Sequence, residues 1–130
     1  EILSKIIHKN DIEKTLESYI LNGTISLEEK KEISQKIYNI VSNERYAPYF
    51  DENLEEVLSE REILVTINGT SKLYRPDRMI KNKEGFVIID FKTGEPKETH
   101  KQQIETYKTA MENLGKKVVK TEIIYIPEFH

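Results

Sequence analysis

Apolar residues over the first fifty positions recur at helical spacing. Ile2, Leu3, Ile6 and Ile7 share one side of a short helix that begins without an N-cap. Asn10-Asp11 can open a second helix, with Ile12, Leu16, Tyr19 and Ile20 on one side and Gly23 as its stop. Ser26-Leu27-Glu28-Glu29 reads as a capping box: the hydroxyl accepts from an orphan amide, and the carboxylate three residues on reaches back. Ile33, Ile37, Ile40 and Val41 carry that helix forward. Tyr46-Ala47-Pro48-Tyr49-Phe50 interrupts the period, because proline cannot continue a helix interior, and reads as an anchored loop.

Beyond residue 60 the period changes to two. Ile63, Val65 and Ile67 alternate with polar or smaller residues, and Asn68-Gly69 is a strong signal for a two-residue hairpin turn. Leu73 to Ile80 is the return strand, Asn82 to Gly85 another turn, and Phe86 to Phe91 a third strand ended by Thr93-Gly94-Glu95-Pro96. A helix from Lys97 to Leu114 follows, with Ile104, Tyr107, Met111 and Leu114 on its inner face and Gly115 as C-cap. Val118 to Ile126 reads as a fourth strand. The expectation is an α/β protein in one domain. A helical region over 1–50 precedes a core over 51–130, in which a central mixed sheet of about four strands is flanked by helices.

Register follows from the turns, because directly opposed residues share a face of a sheet. If Asn68-Gly69 is a two-residue loop, counting back places Glu60 opposite Asp77. A turn centred between Lys83 and Glu84 places Asp77 opposite Asp90. Glu60, Asp77 and Asp90 would then stand in a row across three strands, neighbours ~4.5–5.5 Å apart. Lys92 falls on the same face as Asp90, since strand side chains alternate. Like charges so aligned destabilise a sheet unless something neutralises them. Hard oxygen donors at this density suit Mg²⁺ or Mn²⁺, which would activate a water and stabilise charge at phosphorus. Lys92 would add a point charge beside a scissile phosphate or orient the attacking water. Asp-X-Lys alone is common as a surface ion pair; Pro76-Asp77 on the preceding strand is what singles it out.

Composition narrows the class further. The chain has 130 residues, 37% apolar and 33% charged, which is globular rather than disordered. It contains no cysteine, so disulfides, zinc-thiolate sites and cysteine-ligated iron–sulfur clusters are excluded. No apolar run approaches a membrane span and no signal-peptide pattern is present, consistent with a cytoplasmic setting. The net charge of −3 argues against tight autonomous binding to a polyanion. Residues 1–60 carry 7 Lys/Arg against 13 Asp/Glu, whereas residues 61–130 carry 13 against 10, so the basic half holds the candidate site.

Three motifs stand in order: Arg75-Pro76-Asp77-Arg78, then Val87-Ile88-Ile89-Asp90-Phe91-Lys92-Thr93-Gly94, then Gln103-Ile104-Glu105-Thr106-Tyr107. Together they resemble the PD-(D/E)XK nuclease superfamily, in particular its RecB/AddA-like branch, over roughly residues 60–126. The last motif is similar to that branch's Q-x-x-x-Y, whose spacing puts Gln103 and Tyr107 on one side of a helix. The resemblance implies a restriction-endonuclease-like core and a Mg²⁺- or Mn²⁺-dependent deoxyribonuclease, an exonuclease module. Asp77, Asp90 and the Phe91 carbonyl would be metal ligands, with Glu60 a further one, and Lys92 the catalytic lysine. Gln103 and Tyr107 would position DNA or brace the site.

The setting implied is the C-terminal nuclease domain of a UvrD/Rep-type helicase–nuclease, acting in DNA end processing, recombination and repair. Its partners would be DNA (a single strand or duplex end), upstream helicase domains of the same chain and an AddB/RecC-like subunit; no membrane is involved. AddB-like relatives carry an iron–sulfur cluster that this cysteine-free chain cannot hold.

One element departs from the pattern. The branch places G-x-x-x-H on an N-terminal helix, with the histidine as metal ligand, and Glu1-Ile2-Leu3 looks like the segment just after it. The expectation is a fragment that binds metal poorly and cleaves weakly. His8, the nearest imidazole, lies two turns further along (~10 Å) and reads as a surface or packing residue. His100 and His130 read as solvent-facing. Two alternatives stand beside the nuclease: an inactive nuclease-fold module that binds DNA or partner domains, and an interaction domain with a chance motif.

Overall fold

The computed structural model describes residues 2–6, 8–51, 54, 56–59 and 61–126; Glu1, Ile7, Glu60 and His130, all singled out above, lie outside them. The chain divides into two units, Glu1–Leu54 and Glu55–His130. Among the described residues no helix is long and apolar enough to cross a membrane.

The first unit is helical. A short helix α1 (Ile2–Lys5) is followed by a 3₁₀ turn at Lys9–Asp11 that runs into α2 (Ile12–Leu21). Ile12 and Leu16 are fully buried, whereas Tyr19 and Ile20, expected on the same inner side, are half-buried. The capping box forms as read: Ser26 Oγ accepts from the Glu29 amide and Glu29 Oε1 accepts from the Ser26 amide, both at 3.1 Å. It opens α3 (Leu27–Val41), whose Ile33, Ile37, Ile40 and Val41 are buried. Pro48 falls in a 3₁₀ turn, Ala47–Phe50, that packs on α3 and buries Tyr49 and Phe50. His8 belongs to this unit. Its Nδ1 lies 3.1 Å from the Asp51 carbonyl oxygen, and its amide donates to Asp11 Oδ2 at 2.9 Å.

The second unit carries the strands β1 (Glu56–Ser59), β2 (Ile63–Ile67), β3 (Thr70–Tyr74), β4 (Arg78–Lys81), β5 (Phe86–Thr93) and β6 (Val118–Ile126), with α4 (Glu98–Asn113) between the last two. Four of them form a mixed sheet in the order β1-β4-β5-β6, antiparallel except for the parallel pair β5 and β6 that α4 connects. β2 and β3 form a separate two-stranded hairpin. Asn68 and Gly69 both take positive φ, 51° and 78°, as a tight primed turn requires.

This arrangement corrects the expected strands. The single return strand from Leu73 to Ile80 is two strands, broken at Arg75-Pro76-Asp77. Pro76 has no amide to donate to a ladder, so pairing stops there and resumes at Arg78 with a different partner. That partner, β1, was missed because its two apolar residues, Val57 and Leu58, sit in an acidic stretch. The register nevertheless persists across the break. Stepping six residues down each strand from the pair Ile63 and Tyr74 lands on the pair Val57 and Ile80. Glu60, the third acid of the expected row, lies in the interval and outside the described residues.

β5 is buried from Phe86 to Asp90 on both faces, which is why its sequence reads as a continuous apolar run rather than an alternation. On one side Met79, Phe86 and Ile88 pack with Ile104, Tyr107, Ala110 and Met111 of α4 and with Ile63 and Val65 of the hairpin. Leu114, expected on that inner face, is the C-cap of α4 and is 48% exposed; Ala110 takes the contact instead. On the other face Arg78, Ile89 and Glu122 fall in one row, and all three are buried.

Two features fix how β5 starts. Gly85 lies against Lys117, whose carbonyl accepts from the Phe86 amide at 2.8 Å. Immediately afterwards the β5–β6 register shifts: Phe86 pairs with Val118, but Val87 pairs with Lys120, leaving Val119 as an extra residue. Gly85 has φ +148°, and a Cβ there would stand 2.5 Å from the Lys117 carbonyl oxygen, whereas at Gly69 it would meet nothing within 4 Å. Gly85→Ala is therefore expected to cost about 2–4 kcal/mol, strain and displaced backbone together, against about 1 kcal/mol for Gly69→Ala. Denaturant unfolding of both variants checks this; equal losses would mean that the approach to Lys117 is not a constraint.

Candidate active site

The apolar run of β5 ends by delivering Asp90 into the fold, and the Pro76 break brings Asp77 opposite it. The β4–β5 register, Arg78 with Ile89 through Lys81 with Phe86, extends by one step to Asp77 and Asp90. The two acids are tied reciprocally. The Asp77 amide donates to Asp90 Oδ1 at 3.1 Å, and the Phe91 amide donates to Asp77 Oδ2 at 2.9 Å. Each side chain thus terminates the ladder on its neighbour's backbone, where Pro76 has prevented the regular pairing. A strand residue points its N–H and C=O to the same edge, so the Phe91 carbonyl opens towards the Asp77 side as well.

Each carboxylate retains one oxygen not used in this exchange. That of Asp90, Oδ2, lies 3.4 Å from Lys92 Nζ. Lys92 Nζ also donates to Gln103 Oε1 at 2.5 Å, and Gln103 Nε2 donates to Tyr107 Oη at 3.0 Å. These partners orient the Gln103 amide, since the reverse setting would turn its NH₂ on an ammonium. α4 supplies Gln103 and Tyr107 from adjacent turns, so the helix that buries Ile104 and Met111 in the core also presents the brace for Lys92. The structure therefore joins Asp77, Asp90, Lys92, Gln103 and Tyr107 in one continuous chain of contacts. Tyr107 is anchored further by an edge-on contact with Tyr74, ring centroids 6.2 Å apart.

The electrostatics of this chain are unbalanced. Asp90 is 2% exposed. Burial first, and the Asp77 charge second, push its carboxyl up to about 6, against the opposing pull of the Asp77 amide and Lys92. Burial and the same two carboxylates raise the Tyr107 hydroxyl too, so it stays protonated at neutral pH. Two acids and one lysine leave a deficit of positive charge at the end of β5, which a cation would meet. Among the described residues no group of three or more His, Cys, Asp or Glu side chains gathers at one point.

His100, expected to face solvent, is instead half-buried against Tyr125. Its Nδ1 lies 3.2 Å from Tyr125 Oη, with ring centroids 5.7 Å apart. The signal available in the sequence was spacing: His100, Gln103 and Tyr107 follow one another along one side of a helix. Tyr125 offered none, because its place beside Lys92 depends on the shifted register of β6.

The chain matches no family model and no curated protein. Among solved structures it is similar to one described as "Crystal structure of SSO0001". The two are 15% identical, with a TM-score of 0.43, over 97% of this chain and 61% of that one. The chain thus spans about three-fifths of that protein's length, and a likeness at this level assigns it no chemistry.

The raised Asp90 carboxyl makes a thermodynamic prediction. The folded state holds its proton more tightly than the unfolded chain, so ionisation costs stability as pH rises from about 4 to about 6, with the full penalty present above. In chelator at pH 8, Asp90→Asn should be more stable than the parent by up to about 3 kcal/mol, and the gap should close near pH 4. Urea unfolding at the two pH values measures it; a parent as stable as the variant at pH 8 would contradict the charge deficit.

Proposed function

We propose that this chain is a divalent-metal-dependent DNA nuclease module of the PD-(D/E)XK kind. The observation that carries the reading is the contact chain at the end of β5. Two opposed carboxylates, a lysine two positions on and the Gln-x-x-x-Tyr pair of the following helix meet in one place. The order of the three motifs along the sequence supports the same reading, as does a charge deficit of the kind a divalent cation fills.

Asp77, Asp90 and the Phe91 carbonyl are the donors for Mg²⁺ or Mn²⁺, hard oxygens of the type these ions take, with Glu60 a further candidate. A bound ion of this class supplies Lewis acidity and a water of lowered pKa. The protein's own groups do the remaining work. Lys92 places a positive charge where a phosphodiester gains negative charge, and its contact with Asp90 fixes that charge close to the carboxylates. Gln103 holds Lys92 in that position, and Tyr107 holds Gln103. Burial of Asp90 keeps bulk water from screening these charges. The wider setting we infer is an exonuclease tethered to a helicase. A motor that holds the DNA would relieve this domain, net charge −3, of binding the polyanion alone.

Digestion of single-stranded DNA in Mg²⁺ or Mn²⁺ tests the proposal. Asp90→Ala and Lys92→Ala should each lower the rate by at least about a hundredfold, and chelator should abolish it. Gln103→Ala, which frees Lys92 without removing it, should cost about tenfold. Cleavage by Asp90→Ala and Lys92→Ala at the parent's rate would remove the assignment.

A further inference from the structure

His100 and Tyr125 lie outside the contact chain just described, yet they border it. Tyr125 is the Cα partner of Lys92 across the parallel strands β5 and β6, so the two side chains leave the sheet on the same face. That face is the one α4 covers, since Ile88 and Tyr107 share a core cluster. His100 precedes Gln103 by three positions on α4, ~4.5 Å along the helix axis. The four residues therefore pair across the same seam, Gln103 with Lys92 and His100 with Tyr125. Unlike Ile104 and Tyr107 beside them, His100 and Tyr125 remain half-exposed and within reach of a ligand.

The chemistry of the pair is specific. Tyr125 Oη is 3.2 Å from His100 Nδ1, and a tyrosine hydroxyl is a donor at neutral pH. If it donates there, the imidazole proton resides on Nε2, leaving an N–H donor on the nitrogen opposite Tyr125. Partial burial, then Lys92, then Lys97 hold the imidazole below the ordinary histidine value, so the ring is largely neutral at pH 7. An arriving phosphate would offset both lysines and favour a second proton. The charged and titratable groups facing the ring are thus Lys92 from β5, Lys97 ahead of α4 and Tyr125 from β6.

We propose that His100, oriented by Tyr125, is a second phosphate contact for a nucleic-acid strand, binding the phosphate next to the one that Lys92 faces. The inference rests on the nuclease reading for the identity of the strand. It assigns His100 to binding and Tyr125 to positioning, and neither to the chemical step. The contact is sequence-independent, because a phosphate carries no base information.

The test is steady-state cleavage of a short single-stranded oligodeoxynucleotide in Mn²⁺, paired with fluorescence-anisotropy binding of the same oligonucleotide in chelator. His100→Leu, which removes both ring nitrogens, should raise KM and Kd about tenfold with kcat within about twofold of the parent, as expected for one lost charge-assisted hydrogen bond. Tyr125→Phe, which keeps the ring but frees the imidazole tautomer, should raise KM by a smaller factor. The parent's Kd should tighten more than that of His100→Leu between pH 8 and pH 6. Thermal unfolding of each variant identifies a folding defect, and His100→Asn, which keeps a donor on a shorter side chain, gives an independent second measurement.

The outcomes separate the two readings. Cleavage that dies with Asp90→Ala but keeps its KM in both His100 variants overturns this inference and leaves the nuclease intact. Binding that weakens with His100→Leu in a chain that never cleaves keeps the contact and overturns the nuclease. Neither binding nor cleavage overturns both.

Discussion

Placing an ionisable carboxyl at the buried end of a strand is the constraint around which the second unit is organised. Asp90 is carried there by the apolar residues of β5, each of which favours burial by about 1.5–3 kcal/mol, and that gain offsets the unfavourable position of the acid. The Asp77 backbone amide and Lys92 reduce the penalty without removing it, because the Asp77 carboxylate returns a second negative charge to the same place. The Pro76 break, the contacts of Lys92 with Asp90 and Gln103 and the buried-to-exposed gradient along β5 all make sense as local responses to this one imbalance. A group that is costly to keep and not needed for packing is a reasonable marker of function, since a hydrophobic residue at position 90 would have served the core better.

α4 shows how one helix serves the core and the polar contact chain together. Its buried side, from Ile104 to Met111, covers the sheet and the hairpin, while the first turns on the neighbouring stripe carry His100, Gln103 and Tyr107. Tyr107 belongs to both: its ring is core and its hydroxyl is the end of the contact chain. The precision of the polar contacts is thus borrowed from the packing beneath them, and Gln103 needs no further support because one end of its amide is fixed by a side chain that cannot move without disturbing the core.

Much of this was legible in the sequence wherever a local rule governed. The Asn68-Gly69 turn, the Ser26 capping box and the Asn82–Gly85 turn each dictate their own geometry, and the turns alone were enough to set Asp77 against Asp90. What was not legible depended on long-range choices. The division of the expected return strand at Pro76 required knowing that β1 would compete for β4, and β1 has too few apolar residues to announce itself. Leu114 carried the right residue type for the inner face, but the helix ended one residue earlier. The proximity of His100 to Tyr125 is set by a parallel pairing between segments more than twenty residues apart, which no periodicity encodes.

The extra residue at Val119 has a consequence that reaches the far end of the sheet. Had β6 followed on evenly from the pair Phe86 and Val118, Glu122 would stand beside Asp90, and Ile124 beside Lys92. The bulge moves every later residue of β6 by one place, so Asp90 has Ile123 as its neighbour, Lys92 has Tyr125, and Glu122 is turned to the opposite face in the row with Arg78. A third acid is thereby kept off the face that already holds two. The acidity of the site is decided by a backbone count made at Val119, one short stretch of strand before Ile123, without any change in which side chains the chain contains.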